Sequence, residues 1–122
     1  MVLSFKPQFK DKILDGRKIH TIREDQNHRW QKGKKIHFAT GVRTKNYNQF
    51  KEGICTFNQS VLLDPESKEI WLGLNGKMNL LDKKHYLKFA QNDGFDTEEA
   101  FWKWFNQPFN GVVIHWTDFI YS

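Results

Sequence analysis

The chain holds one cysteine, Cys55, in 122 residues. That excludes an intramolecular disulfide and a cysteine-based zinc cluster. Its setting, Ile54-Cys55-Thr56-Phe57, alternates apolar residues, so the thiol reads as a small core group rather than a nucleophile. No apolar run approaches about eighteen residues and no charged-then-apolar leader opens the sequence. The expectation is a soluble, intracellular, cytoplasmic protein with no membrane partner. The five histidines, His20, His28, His37, His85 and His115, stand in no recognisable metal-ligand spacing with acidic or cysteine residues. Neither a metal nor a cofactor is therefore expected. Gly-x-Ser-x-Gly, a phosphate-binding glycine loop and a dinucleotide fingerprint are all missing, so the standard catalytic motifs give no lead. Repeats, linkers and low-complexity tracts are absent as well, which leaves one domain spanning 1–122.

What is present is aromatic and basic. Eleven Phe and five Trp supply large buried areas, and the formal net charge is +5. A positive balance favours anionic partners: RNA, a nucleotide or an acidic surface. The most informative stretch is Gly16-Arg17-Lys18-Ile19-His20-Thr21-Ile22-Arg23. It reads as a basic strand over residues 17–23, entered through a glycine. Lys18, Thr21 and Arg23 are groups that hold phosphates and nucleobase oxygens. The competing reading is a solvated sheet edge whose charges prevent aggregation. A regular strand would point Lys18 and Thr21 to opposite faces, and they converge only if residues 16–19 form a turn or bulge. Thr21 and Arg23 share a face in either case.

Around this stretch, Val2 to Phe5 reads as a strand, and Pro7 starts a helix that Gly16 ends. Ile36 to Ala39 forms a strand, and residues 40–51 form a long loop. Ile54 to Leu63 reads as the longest central strand. Asn75-Gly76 marks a hairpin. Leu80 to Ala90 suits a helix that Asp93-Gly94-Phe95 breaks. Asp96 is the expected cap of the next helix, with Ala100, Phe101, Trp104 and Phe105 as its buried stripe. Val112 to Tyr121 reads as a terminal strand. About six strands with about three helices suggest an α+β fold, a small mixed barrel with helices on its rim. His37 and His115 lie in apolar strands and read as hydrogen-bonded core histidines.

The loop at 40–51 carries Arg43, Lys45, Tyr47, Phe50 and Lys51. Cations interleaved with aromatics fit single-stranded nucleic acid, and they equally fit a solvated surface loop. Trp30 and Trp102 would add stacking surface if they were exposed.

Phe9, Ile13, Gly16-Arg17-Lys18 and Thr21-Ile22-Arg23, followed by Lys32-Gly33 before a strand, resemble the opening of ASCH domains, relatives of the PUA RNA-binding fold. Asp93-Gly94-Phe95 with its following helix, and Val113-Ile114-His115-Trp116, resemble the closing half of that family. The resemblance implies a PUA-like mixed β-barrel with flanking helices and a cleft for RNA, a nucleotide or a nucleoside. Arg17, Arg23, Arg43, Lys45, Tyr47 and Trp116 are the expected ligand-binding residues of a monomer. One branch of the family deacetylates N4-acetylcytidine with a lysine base, a threonine nucleophile and a glutamate proton donor. By motif these carry over to Lys18, Thr21 and, with aspartate replacing glutamate, Asp93. The binding module is the leading expectation, and the amidohydrolase is the alternative.

Overall fold

A computed structural model describes residues 1–122 as eight strands and three short helices. β1 (Val2–Phe5) runs through a single 3-10 turn at Pro7–Phe9 into α1 (Lys10–Leu14). Next come β2 (His20–Arg23), β3 (Lys35–Thr40), β4 (Asn48–Ile54), β5 (Phe57–Asp64), β6 (Glu69–Leu74) and β7 (Lys77–Leu80). α2 (Tyr86–Asn92), α3 (Glu98–Trp104) and β8 (Phe109–His115) complete the chain. One sheet has the order β1-β3-β4, with β1 parallel to β3, and the other has the order β2-β8-β5-β6-β7. The α+β class stands as expected. The strands number eight rather than six, and their two ladders do not join into one closed barrel.

The extra strands come from a sheet switch that patterning does not reveal. The stretch expected as one central strand is split at Cys55 and Thr56. The Cys55 N–H bonds Lys34 O at 2.8 Å in one sheet's neighbourhood, and the Thr56 N–H bonds His115 O at 2.9 Å in the other. The buried Cys55 thus marks a corner. β4 already starts at Asn48, so the loop expected over 40–51 shortens to 41–47.

Several local signals act as their chemistry requires. Pro7 opens the first helical turn, and Gly16 at φ +87° ends the segment. Asn75 and Gly76 both take positive φ, 52° and 78°, which suits a tight turn between β6 and β7. Other boundaries move. Leu80 pairs with Trp71 as part of β7, and α2 begins only at Tyr86. The cap of α3 is Thr97, whose hydroxyl accepts from Ala100 N–H at 3.0 Å, while Asp96 is drawn away to Lys12 Nζ at 2.9 Å. Phe101 and Trp102 are the buried residues of α3, and Trp104 is 46% exposed. β8 starts at Phe109 and stops at His115, after which the chain turns back. There Tyr121 exchanges N–H and C=O bonds with the Gln59 side chain.

The core lies between the sheets and helices and is built around Ile36, Phe38, Val61, Leu63, Phe89, Phe101, Val113 and Ile114. His115 is fully buried and bonds Gln59 Oε1 at 2.9 Å, a core histidine as expected. His37 is not: it is half-buried on β3 with its Nδ1 3.5 Å from Glu52. Trp30 and Trp102 are buried and offer no stacking surface.

Candidate functional site

β2 is the edge of the five-stranded sheet, yet it is not solvated. His20, Thr21 and Ile22 are buried and Arg23 is half-buried. The reading of this segment as a charged, exposed edge is therefore overturned: Tyr121, in the segment after β8, packs over His20, and Phe5 packs against Arg23. Residues 20–23 pair antiparallel with His115 to Val112 of β8. The chain leaves this ladder at Ile19, whose N–H bonds Asn92 O at 2.8 Å, and the Lys18 N–H bonds Lys12 O at 2.9 Å. These two bonds to the ends of the helices, with Gly16 before them, make residues 16–19 a turn. Lys18 is thereby released from strand alternation and enters the same cleft as Thr21 and Arg23.

The cleft has a volume of about 1040 Å³. Lys18 lies at its floor, only 2% exposed, with Nζ 5.0 Å from the centre of the Phe9 ring and 5.7 Å from that of Phe5. Asp93 supplies both of its oxygen contacts: the backbone carbonyl at 2.5 Å and the carboxylate Oδ1 at 3.6 Å. Asp93 reaches this position because α2 ends there. Its N–H closes on Phe89 and Ala90, and Gly94 at φ +99° turns the chain away. A Cβ on Gly94 would lie 2.8 Å from Phe9 Cδ1 and 2.9 Å from Lys18 Cδ, so the floor is packed against a residue without a side chain.

Above the floor, Arg23 Nε donates a long bond to Thr21 Oγ1 at 3.3 Å, and its guanidinium lies 4.9 Å from the centre of the Phe5 ring. A second nitrogen donates to Ser4 O. Trp104, Phe95 and Phe105 continue the aromatic wall. Lys6 and Arg43 stand at the rim, so four cations line the cleft against the two carboxylates of Asp93 and Glu24.

Burial dominates the electrostatics. Desolvation lowers the Lys18 ammonium from 10.5 to about 8, opposed by the Asp93 carboxylate and reinforced by Arg23 and Lys12. Desolvation also lowers Arg23, with Asp93 opposing. It holds His20 below its ordinary value against a hydrogen bond and charge from Asp93.

Lys18, Thr21, Arg23, Arg43 and Asp93 come together in this cleft, while Arg17, Lys45, Tyr47 and Trp116 do not line it. Arg17 turns to Asp15 at 2.8 Å beside a separate depression. Lys45 and Tyr47 are exposed on the far part of the loop. Trp116 packs edge-on against Phe38 and Phe5 from within. The loop does border the cleft, through Gly41, Val42, Arg43, Thr44 and Asn46, but not through Lys45 or Tyr47.

Sequence reasoning missed Phe5, Phe9, Trp104 and His20. The first two alternate into the same wall from β1 and the 3-10 turn. His20 bonds Asp93 Oδ1 through Nδ1 at 3.0 Å and the Tyr121 hydroxyl through Nε2 at 2.6 Å. Its signal was there to read, a histidine between the two cleft positions Lys18 and Thr21, although its distant partners were not. Compared with known proteins, the chain matches no family model, no curated protein and no solved structure.

Proposed function

We propose that this cleft binds a nucleotide unit, free or within single-stranded RNA. The observation that carries the reading is a buried ammonium, Lys18, at the floor of an aromatic-walled cleft whose upper part holds Arg23 and Arg43. An aromatic wall stacks a base, and cations above it pair with phosphate. Lys18 donates to a base carbonyl oxygen, a bond that gains strength from desolvation. The volume suits one nucleotide with part of its neighbour. The Gly16-x-Lys18-x-x-Thr21-x-Arg23 resemblance to ASCH domains, and through them to the PUA-like barrel, agrees with this reading.

Trp104 is exposed in the cleft and reports occupancy by its fluorescence. Titration with short single-stranded RNAs and with nucleotides should quench it. RNA affinity should fall as salt rises, because phosphate contacts release counterions. Arg43→Ala should weaken binding and reduce the salt slope by about one. The absence of quenching at low salt, or affinity indifferent to Arg23→Ala and Arg43→Ala, refutes the proposal.

A second reading is favoured by the Lys18 value of about 8, which leaves roughly a tenth of the amine neutral at pH 7. As an amidohydrolase on N4-acetylcytidine, Lys18 would take the Thr21 hydroxyl proton as the oxygen attacks the acetyl carbon. Asp93 would take that proton from Lys18 and pass it to N4 as the amide bond breaks. Water would then hydrolyse the acetyl-threonine ester to acetate and restore the hydroxyl. Release of cytidine, rising with pH toward about 8 and lost in Lys18→Met, supports this reading; no release by the intact protein removes it.

A further inference from the structure

Behind the cleft lies a chain of polar groups that ligand contact does not use. His20 is fully buried between Asp93 and Tyr121, on the side of β2 away from the ligand wall. The Asp93 carboxylate can only accept, so His20 Nδ1 must carry a proton. Burial keeps the ring neutral, which leaves Nε2 bare and makes the Tyr121 hydroxyl its donor. That assignment closes with the remaining partner: Asn92 Nδ2 donates to the same hydroxyl at 3.1 Å, using its lone pair while its proton points at His20. Donors therefore run in one direction, Asn92 to Tyr121 to His20 to Asp93. The Asp93 Oδ1 that receives the histidine proton also faces Lys18 Nζ at 3.6 Å.

We infer that His20 and Tyr121 form a positioning relay that fixes the Asp93 carboxylate against Lys18, so that the segment after β8 helps to set the cation at the cleft floor. Tyr121 is well placed for this. Its backbone is clamped at both ends of the residue by Gln59, at 3.1 Å and 2.9 Å, and Gln59 is held in turn by His115 Nε2 at 2.9 Å. A structural role alone would need no directed donor series ending on the only carboxylate beside Lys18. The charged and titratable groups facing Lys18 are Asp93, Arg23, Lys12 and His20, and those facing His20 are Asp93, Lys18, Tyr121 and His115. Arg23, Lys12 and His115 do not contact the Asp93 carboxylate, so a change confined to the relay reaches Lys18 through Asp93.

The inference rests on the reading of the cleft as a ligand site, and its test is made on the free protein so that the two can fail separately. Titration of the Lys18 side chain by NMR gives its midpoint in the wild type, in Asp93→Asn and in the relay variants. Asp93→Asn removes the attractive charge and should lower the midpoint. Tyr121→Phe, which keeps the ring and loses the hydroxyl, should move it part of the way in the same direction. His20→Leu should move it further. His20→Asn, which keeps a donor near the Nδ1 position, should restore it toward the wild type. Nitrogen shifts of His20 in the wild type should show Nδ1 protonated and Nε2 bare. The opposite tautomer, or a Lys18 midpoint unchanged in Tyr121→Phe, overturns the relay; if His20→Leu fails to fold, Tyr121→Phe and the tautomer decide alone. Ligand titration of the same variants is a separate readout. Failure to bind RNA with a shifted midpoint would sink the function and leave the relay standing.

Discussion

Replacing Lys18 by methionine should erase a gain in stability that the wild-type protein makes in alkaline solution. Desolvation at the cleft floor brings the Lys18 ammonium from 10.5 down to about 8, despite the attraction of Asp93. The difference corresponds to about 3 kcal/mol of folding free energy, present as a cost whenever the lysine is charged in both states. Below about 8 folded and unfolded chains both hold the proton, and the full cost is felt. Between about 8 and 10.5 the folded chain has released it while the unfolded chain keeps it. The unfolded state then binds more protons, so stability rises with pH through that window. By pH 10 the contribution should reach about 2 to 3 kcal/mol relative to pH 7. Urea unfolding of the wild type and of Lys18→Met at pH 7, 8, 9 and 10 measures it as the change in their difference, which removes the titration of groups the substitution leaves untouched. Stopping at pH 10 avoids Tyr121, whose hydroxyl burial raises and which works in the opposite sense above its ordinary value. Two curves that stay parallel from pH 7 to 10 would show that the lysine is hydrated at the floor, and the electrostatic account of the site would fall with them.

Three further outcomes follow from the same packing. Burial lowers both His20 and His115, the latter to about 3, so each is neutral in the fold and must charge on unfolding in acid. The unfolded chain binds the extra protons, hence stability should fall as pH drops below 6.5 and continue falling toward about 3; a flat acid limb in denaturant midpoints between pH 6.5 and 5 contradicts this. Gly94→Ala forces a side chain into positive φ and to within 2.8 Å of Phe9, and should cost about 2 kcal/mol or more by thermal or urea unfolding, whereas a loss under about 1 kcal/mol would mean the floor can give way. Thr97→Ala should cost about 1 kcal/mol through the lost cap of α3. Asp96→Ala, which loses only an exposed ion pair, should cost less, and the reverse order of unfolding midpoints would restore Asp96 as the cap.

Much of the local structure was legible because it is decided by single residues. Pro7, Gly16 and Asn75-Gly76 act through local backbone conformation, and each does so here as its chemistry requires. Thr21 and Arg23 share a face because they are two apart in a strand. The failures are of another kind. Cys55 and Thr56 look like strand interior because both neighbours alternate correctly, yet Cys55 bonds Lys34 just before β3 and Thr56 bonds His115 of β8, a fact about distant partners. Asp96 is a better cap than Thr97 by composition, but Lys12 claims it from 84 positions away. Arg17 and Trp116 belong to motif stretches, but Asp15 and Phe38 draw them elsewhere. The role of His20 is not legible in the sequence because it depends on Asp93 and Tyr121, 73 and 101 positions further along.

The position of Lys18 shows why the basic segment is read correctly only with its helices in place. Continued as strand, residues 17–23 would set Lys18 on the face of His20, behind the aromatic wall, where an ammonium beside the core would have no route to the cleft. Two backbone bonds prevent this, Ile19 to Asn92 and Lys18 to Lys12, which tie both donors to the helices and take the chain out of strand geometry. The residues that make those bonds possible are the ends of α1 and α2. The end of α2 also delivers Asp93, so the helix terminus that turns Lys18 into the cleft supplies its counter-charge. Cation and carboxylate are thus placed by a common device. One residue inserted within α2 before Asn92 should displace both together, even though it replaces neither a motif residue nor a cleft side chain, and loss of the Lys18 midpoint shift would show it.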